Sequence, residues 1–288
     1  MSTLSLVAAF GGGLFGASIG ALPVFILTGL IAIAGGVATL AGAADLSVGS
    51  IAFGSILGPH IAVGPAVVAA AFAANKRHKL ESGKDIVSSL NGLGDYTVLI
   101  IGGIFGVIGF LVNYLISGIL KLPTDSPGLT VFILHVAGRL LFGKTGLIGK
   151  YEGKEKRVYF SSGNALIFNI VTGGGIGLMV GYVAASLKAS GVDPSLISIF
   201  PVICFGISAI SLIFTQTGFA TPATHHITYP AAMAAVLSGN PVMGVVFGIV
   251  GSLIGDFAGH TFNSHCDTHI DSPAIAIFIS VFMIQAMF

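Results

Sequence analysis

Tryptophan is absent from these 288 residues, cysteine occurs twice and only 8% of positions are charged. Without an indole ring, a large aromatic recognition box is not expected. Cys204 lies in an apolar run and Cys266 in a polar cluster, so two cysteines placed so differently give no disulfide framework. The shortage of charge argues against an ordinary soluble domain, where about a quarter of residues are charged. A net charge of +1 offers no basic surface to nucleic acid. The opening Met1-Ser2-Thr3-Leu4-Ser5 has no basic stretch and its apolar segment runs straight into a second. We therefore expect no cleavable signal peptide and a retained first segment.

What the chain has in abundance is apolar sequence, 54% of its residues, together with 42 glycines. Apolar runs recurring along nearly the whole length define an all-α polytopic membrane protein, and the glycines fit helices packed closely through small side chains. Ten segments can be marked, at about 4–20, 22–42, 51–73, 97–120, 128–143, 163–187, 195–215, 222–238, 241–262 and 273–287. The third and eighth contain internal proline and glycine, and they read as broken or re-entrant helices whose freed backbone groups face protein or water.

The segments repeat. Gly255 to Pro273 lies without gaps on Gly109 to Pro127, with Asp125-Ser126-Pro127 matching Asp271-Ser272-Pro273. Gly11-Gly12-Gly13 pairs with Gly173-Gly174-Gly175, Leu22-Pro23-Val24 with Phe200-Pro201-Val202, and Pro59-His60-Ile61 resembles His225-His226-Ile227. These matches in one order divide the chain into a first five-segment repeat, 1–143, a basic linker, 144–160, and a second repeat, 161–288. An odd number of spans per repeat makes the second copy enter from the opposite side, the inverted arrangement common among transporters. The basic stretches around Lys76-Arg77-His78-Lys79 and from Lys144 to Arg157 then lie on one side, which the positive-inside rule makes cytoplasmic.

Three groups of residues could carry chemistry. His60 and His226 precede proline in broken segments at equivalent places, and inversion would bring them together near mid-membrane. A structural bond from either imidazole to the loosened backbone is the competing reading. With His225, Thr228 and Tyr229 from the same segment and Asp256, an expensive carboxylate at membrane depth, they form the expected solute site. The stretch Gly255 to Pro273 holds three Asp, three His and one Cys. If helix continues past the ninth segment, Asp256, His260, Asn263, Asp267 and Asp271 form one stripe and His265 and His269 a second face. His260, His265, Cys266, Asp267, His269 and Asp271 are accordingly candidate ligands for a divalent metal ion, the one cofactor the pattern allows, against a polar solvated loop as the plain reading. Asp125 and Asp271, each before Ser-Pro, read mainly as helix caps. Arg139, four residues after His135 and near the basic linker, is expected to snorkel to the surface.

The resulting expectation is an integral, multi-pass transporter of the plasma or inner membrane. It moves a small polar or ionic solute through a central site, and its titratable groups are compatible with proton or cation coupling. Its partners are the lipid bilayer and the solute, with a homo-oligomer left open. The architecture resembles that of bile-acid-symporter-like, drug/metabolite-transporter-like and urea-channel-like proteins in arrangement alone. An intramembrane metal-dependent enzyme using the 256–271 cluster, a channel, or a subunit of a larger membrane complex are the alternatives. The transport reading ranks ahead of the enzyme.

Overall fold

Asp125 and Asp271 each start a helix by accepting the backbone N–H three residues on, from Gly128 at 2.7 Å and Ala274 at 3.0 Å, with proline in the first turn. Ser2 caps the first helix by accepting the Ser5 N–H, and Asp95, Asp193 and Asn240 cap other helices by accepting the N–H two residues on. A short polar acceptor satisfies amide groups that have no intrahelical partner, which is why these residues mark the starts. The computed structural model describes residues 2–43 and 48–288, and among them every regular element is helical. In the first half these are α1 (Thr3–Ile19), α2 (Ala21–Leu40), α3 (Gly64–Asn75), α4 (Tyr96–Asn113) and α5 (Ser126–Phe142). In the second they are α6 (Asn164–Ala189), α7 (Pro194–Ile197), α8 (Phe200–Ser211), α9 (Ile213–Gln216), α10 (His225–Ser238), α11 (Pro241–Phe262) and α12 (Ser272–Met287).

Among the described residues, five helical stretches are long and apolar enough to cross a membrane: Ala21–Leu40, Tyr96–Ile119, Asn164–Ala189, Pro194–Gln216 and Pro241–Phe262. Shorter apolar helices span Thr3–Ile19, Pro59–Asn75, Ser126–Phe142 and Ser272–Met287. The outward face of α6 carries exposed Ile167, Val171, Leu178 and Tyr182, a surface suited to lipid rather than water. The chain thus has the build of an integral membrane protein.

Glycine decides how the helices meet. Ala9, Gly13 and Ala17 of α1 lie against Gly102 and Gly106 of α4, and Gly173, Gly177 and Gly181 of α6 lie against Gly244 and Gly248 of α11. A Cβ at Gly13 or Gly177 would collide with the carbonyl oxygen of Gly102 or Gly244. Such backbone-to-backbone approach is how helices associate where no hydrophobic effect drives them together. The contacts correct the alignment read from the sequence. Gly13 corresponds in its contacts to Gly177, and Gly109, packed on the His60 carbonyl, corresponds to Gly251, packed on the His226 carbonyl.

Two helix pairs run antiparallel. Gly29 of α2 faces Ala209 of α8 while Gly36 faces Ile203. Thr124, just before α5, donates through Oγ1 to the Phe278 carbonyl of α12 at 2.6 Å, whereas further along α5 the His135 Nδ1 accepts the Asp271 N–H at 3.0 Å.

The breaks fall partly where expected. Residues 53–58 are non-helical and lead through a π-type turn, Pro59–Val63, into α3. The eighth segment differs, because α10 runs unbroken through Pro230 and the irregular stretch lies before it, at 217–224. Pro230 deprives the His226 carbonyl of its helical donor, and Gly251 lets α11 approach that oxygen. The seventh segment, expected over 195–215, is one apolar stretch, Pro194–Gln216, in which α7, α8 and α9 follow one another.

One end of the bundle gathers both basic stretches around residues 263–271. Lys84 Nζ donates to the Asn263 carbonyl at 2.8 Å and Arg157 to the Thr261 carbonyl at 2.7 Å.

Candidate functional site

A cavity of about 520 Å³ opens between the two halves. That size falls within the roughly 300–1,000 Å³ typical of small-molecule sites. Its walls come from α2 (Leu22, Phe25), α5 (Asp125, His135), α8 (Phe205), α10 (His225, His226, Tyr229), α11 (Ser252, Asp256) and α12 (Asp271, Ile277). The irregular stretches contribute Phe53 and Thr221 to Thr224. Capping explains why α5 and α12 present carboxylates here: their first turns meet at Gly128 and Ala274, so Asp125 and Asp271 stand where two helix N-termini converge.

Four histidines accompany them. His135 uses Nδ1 to accept the Asp271 N–H, and its Nε2 has no hydrogen-bond partner. His269 places Nε2 3.7 Å from Asp271 Oδ1 and its ring 6.2 Å from that of His135. The rings of His225 and His226 are 5.9 Å apart, and the Nδ1 atom of each is buried without a partner. His225 also packs 4.6 Å from the Phe25 ring. Buried polar atoms are nearly always hydrogen-bonded, so unpartnered ring nitrogens on three histidines that line one cavity need an explanation.

Of the expected solute-site residues, His225, His226, Tyr229 and Asp256 line the cavity. His60 and Thr228 do not. His60 is fully enclosed in the π-type turn, its ring beside Gly58, because that turn rotates it away from the position His226 takes at the start of a regular helix. Thr228 faces α8, sharing a 3.0 Å hydrogen bond with Ser208. Asp256 is already engaged: it accepts the Ser161 N–H and hydroxyl at 2.8 and 2.6 Å and the Asn169 amide at 3.0 Å, with His260 Nε2 3.6 Å away.

The expected metal cluster is dispersed. Because α11 stops at Phe262, the stripe from Asp256 to Asp271 does not form. Asn263 instead closes a loop by bonding both the N–H and the carbonyl of Ile270. His260 stays with Asp256 and Ser161, His265 stacks 4.8 Å from the Tyr151 ring, and Cys266 lies by Gly149. Asp267 accepts from Asn75, the Lys144 N–H and Thr145, while His269 and Asp271 face the cavity. Among the described residues no group of three or more His, Cys, Asp or Glu stands close enough to hold a metal ion.

Arg139 is likewise not a snorkelling residue. It is 1% exposed and donates to the Thr268 hydroxyl, the Thr268 carbonyl and the Leu147 carbonyl. Asp125 and His135 also line the cavity, although the sequence presents Asp125 mainly as a cap and His135 only as a helical neighbour of Arg139; Asp271, which reads there as a cap and as a candidate metal ligand, lines it too. The signal for the aspartates was present in the Asp-Ser-Pro shared by both halves.

Fold and site together define a helical membrane protein with an internal cavity lined by carboxylates and imidazoles. The chain belongs to the family of unknown function DUF7973, which matches residues 1–160 and 168–288. No curated protein and no solved structure matches it.

Proposed function

We propose that the chain is a membrane transporter that carries a small polar or ionic solute through the cavity between two inverted five-segment repeats. The observation that carries this reading is the cavity itself: carboxylate- and imidazole-bearing residues from both halves line one space inside an apolar bundle. Ionisable groups within a membrane are costly and mark solute or ion pathways by default. The antiparallel pairing of α2 with α8 and of α5 with α12, together with equivalent glycine contacts in α1/α4 and α6/α11, supports the inversion. In such repeats, solute sites lie near discontinuous segments, and the irregular stretches before Pro59 and before α10 contribute Phe53 and Thr221 to Thr224 to the cavity wall. The basic stretches at one end favour a cytoplasmic orientation for that end, in a plasma or inner membrane.

Imidazoles beside carboxylates at the cavity supply groups through which a proton could be coupled to solute movement. Exchange of labelled amines, carboxylates and polyols in proteoliposomes tests the reading. Saturable, gradient-driven accumulation of one class is the expected result. Simple equilibration would identify a channel, and no protein-dependent flux of any class would sink both.

A further inference from the structure

The cavity wall is electrostatically one-sided. It contains Asp125, Asp256 and Asp271 and, among the described residues, neither lysine nor arginine. The carboxylates differ in how fully they are engaged. Asp256 is surrounded by three donors. Asp271 gives Oδ2 to its cap and has His269 beside Oδ1. Asp125 gives Oδ2 to the Gly128 N–H, and no hydrogen bond to its Oδ1 is observed. The Gly128 N–H fixes that carboxylate at the start of α5.

The rest of the wall is aromatic and apolar. Phe205 lies 5.4 Å from Phe25, 5.3 Å from Phe53 and 6.3 Å from Tyr229, centroid to centroid, and all four rings line the cavity. Ring faces attract a cation and repel an anion. Independently of the carboxylates, His225 lines the same wall, is 95% buried and has an Nδ1 without a hydrogen-bond partner. The volume of about 520 Å³ is far more than a dehydrated metal ion requires and suits an organic molecule.

We infer that the cavity selects a small organic monocation, an amine with an apolar or aromatic body, whose ammonium group pairs with Asp125 while its body packs against Phe25, Phe53 and Phe205. This inference rests on the transport reading for its biological meaning, but binding can be measured separately. A neutral amine would lack the charge-assisted bond. A carboxylate would meet Asp125 and Asp271 without a fixed cation to offset them.

The test uses purified full-length protein in lipid nanodiscs and three isosteric probes: benzylammonium, benzoate and benzyl alcohol. Calorimetric titration should detect benzylammonium at least about tenfold more tightly than either of the others. Asp125→Asn should remove that preference while leaving benzyl alcohol unchanged, since asparagine still caps α5. Phe205→Leu should weaken benzylammonium more than benzyl alcohol, a readout that does not depend on the cap. Benzoate binding best, equal binding of all three probes, a response to sodium or potassium alone, or no binding would each overturn the inference. Transport of an anion would also overturn it while upholding the transporter. Cation binding without flux would uphold it and defeat the transport reading.

Discussion

Arg139 and Thr268, far apart in the sequence, are joined twice: the guanidinium donates through Nε to the threonine hydroxyl at 2.8 Å and through Nη2 to its carbonyl at 2.6 Å. A third donation, to the Leu147 carbonyl, ties α5, the linker and the 263–271 loop into one unit at the end of the bundle. Because the side chain is buried, truncation leaves three acceptors without a donor. Arg139→Ala should lower unfolding stability by about 3 kcal/mol or more, with Arg139→Lys intermediate because one ammonium cannot reproduce the planar fork. Denaturant titration in detergent micelles measures both, and a change within about 0.5 kcal/mol for Arg139→Ala would contradict the latch.

Glycines that look alike in the sequence should behave oppositely. A Cβ at Gly109 would strike the His60 carbonyl, so Gly109→Ala should cost about 1–3 kcal/mol. Gly11 and Gly175 have nothing within 4 Å of a built Cβ, and alanine there should be neutral or stabilising by up to about 1 kcal/mol. The ordering of melting temperatures across the three variants decides the matter.

Asp95, the cap of α4 at the bundle surface, is held down to about 2 by hydrogen bonds from Thr97 and then Arg77. A carboxylate with a lowered folded value contributes stability that is complete above its unfolded pKa of about 4 and lost as pH falls through the folded value. The stability difference between the native protein and Asp95→Asn should therefore shrink as pH drops from about 4 toward about 2. A difference independent of pH over that window would refute the assignment.

His226 and His60 occupy equivalent sequence positions but different surroundings. His226→Ala should depress flux strongly with little change in melting temperature, since the lost group faces the cavity. His60→Ala removes an enclosed side chain and should act mainly on stability. The reverse pattern would place the solute elsewhere.

Cysteines introduced at Ser82 and Gly153, both exposed, should label with impermeant reagent from the same side of the membrane. Lys84 and Arg157 already bind the same end of the bundle, so opposite-side labelling is excluded by this fold.

Composition alone determined that this is a helical membrane chain, because apolar runs of such length leave the backbone no other way to satisfy its hydrogen bonds in lipid. The helix starts at Asp125 and Asp271 were equally legible, since capping is a local event between residues three apart. The glycine stripes announced close packing but not its register, which depends on which backbone meets which: Gly13 with Gly102, Gly177 with Gly244. Only the tertiary structure separated His226 from His60, ended α11 at Phe262 and scattered the 256–271 cluster among different partners. It also brought Asp125 and Asp271 to one cavity, for that convergence requires two antiparallel helices, the last of each half of the chain, to meet at their first turns. Spacing along one strand of sequence carries no information about such a crossing.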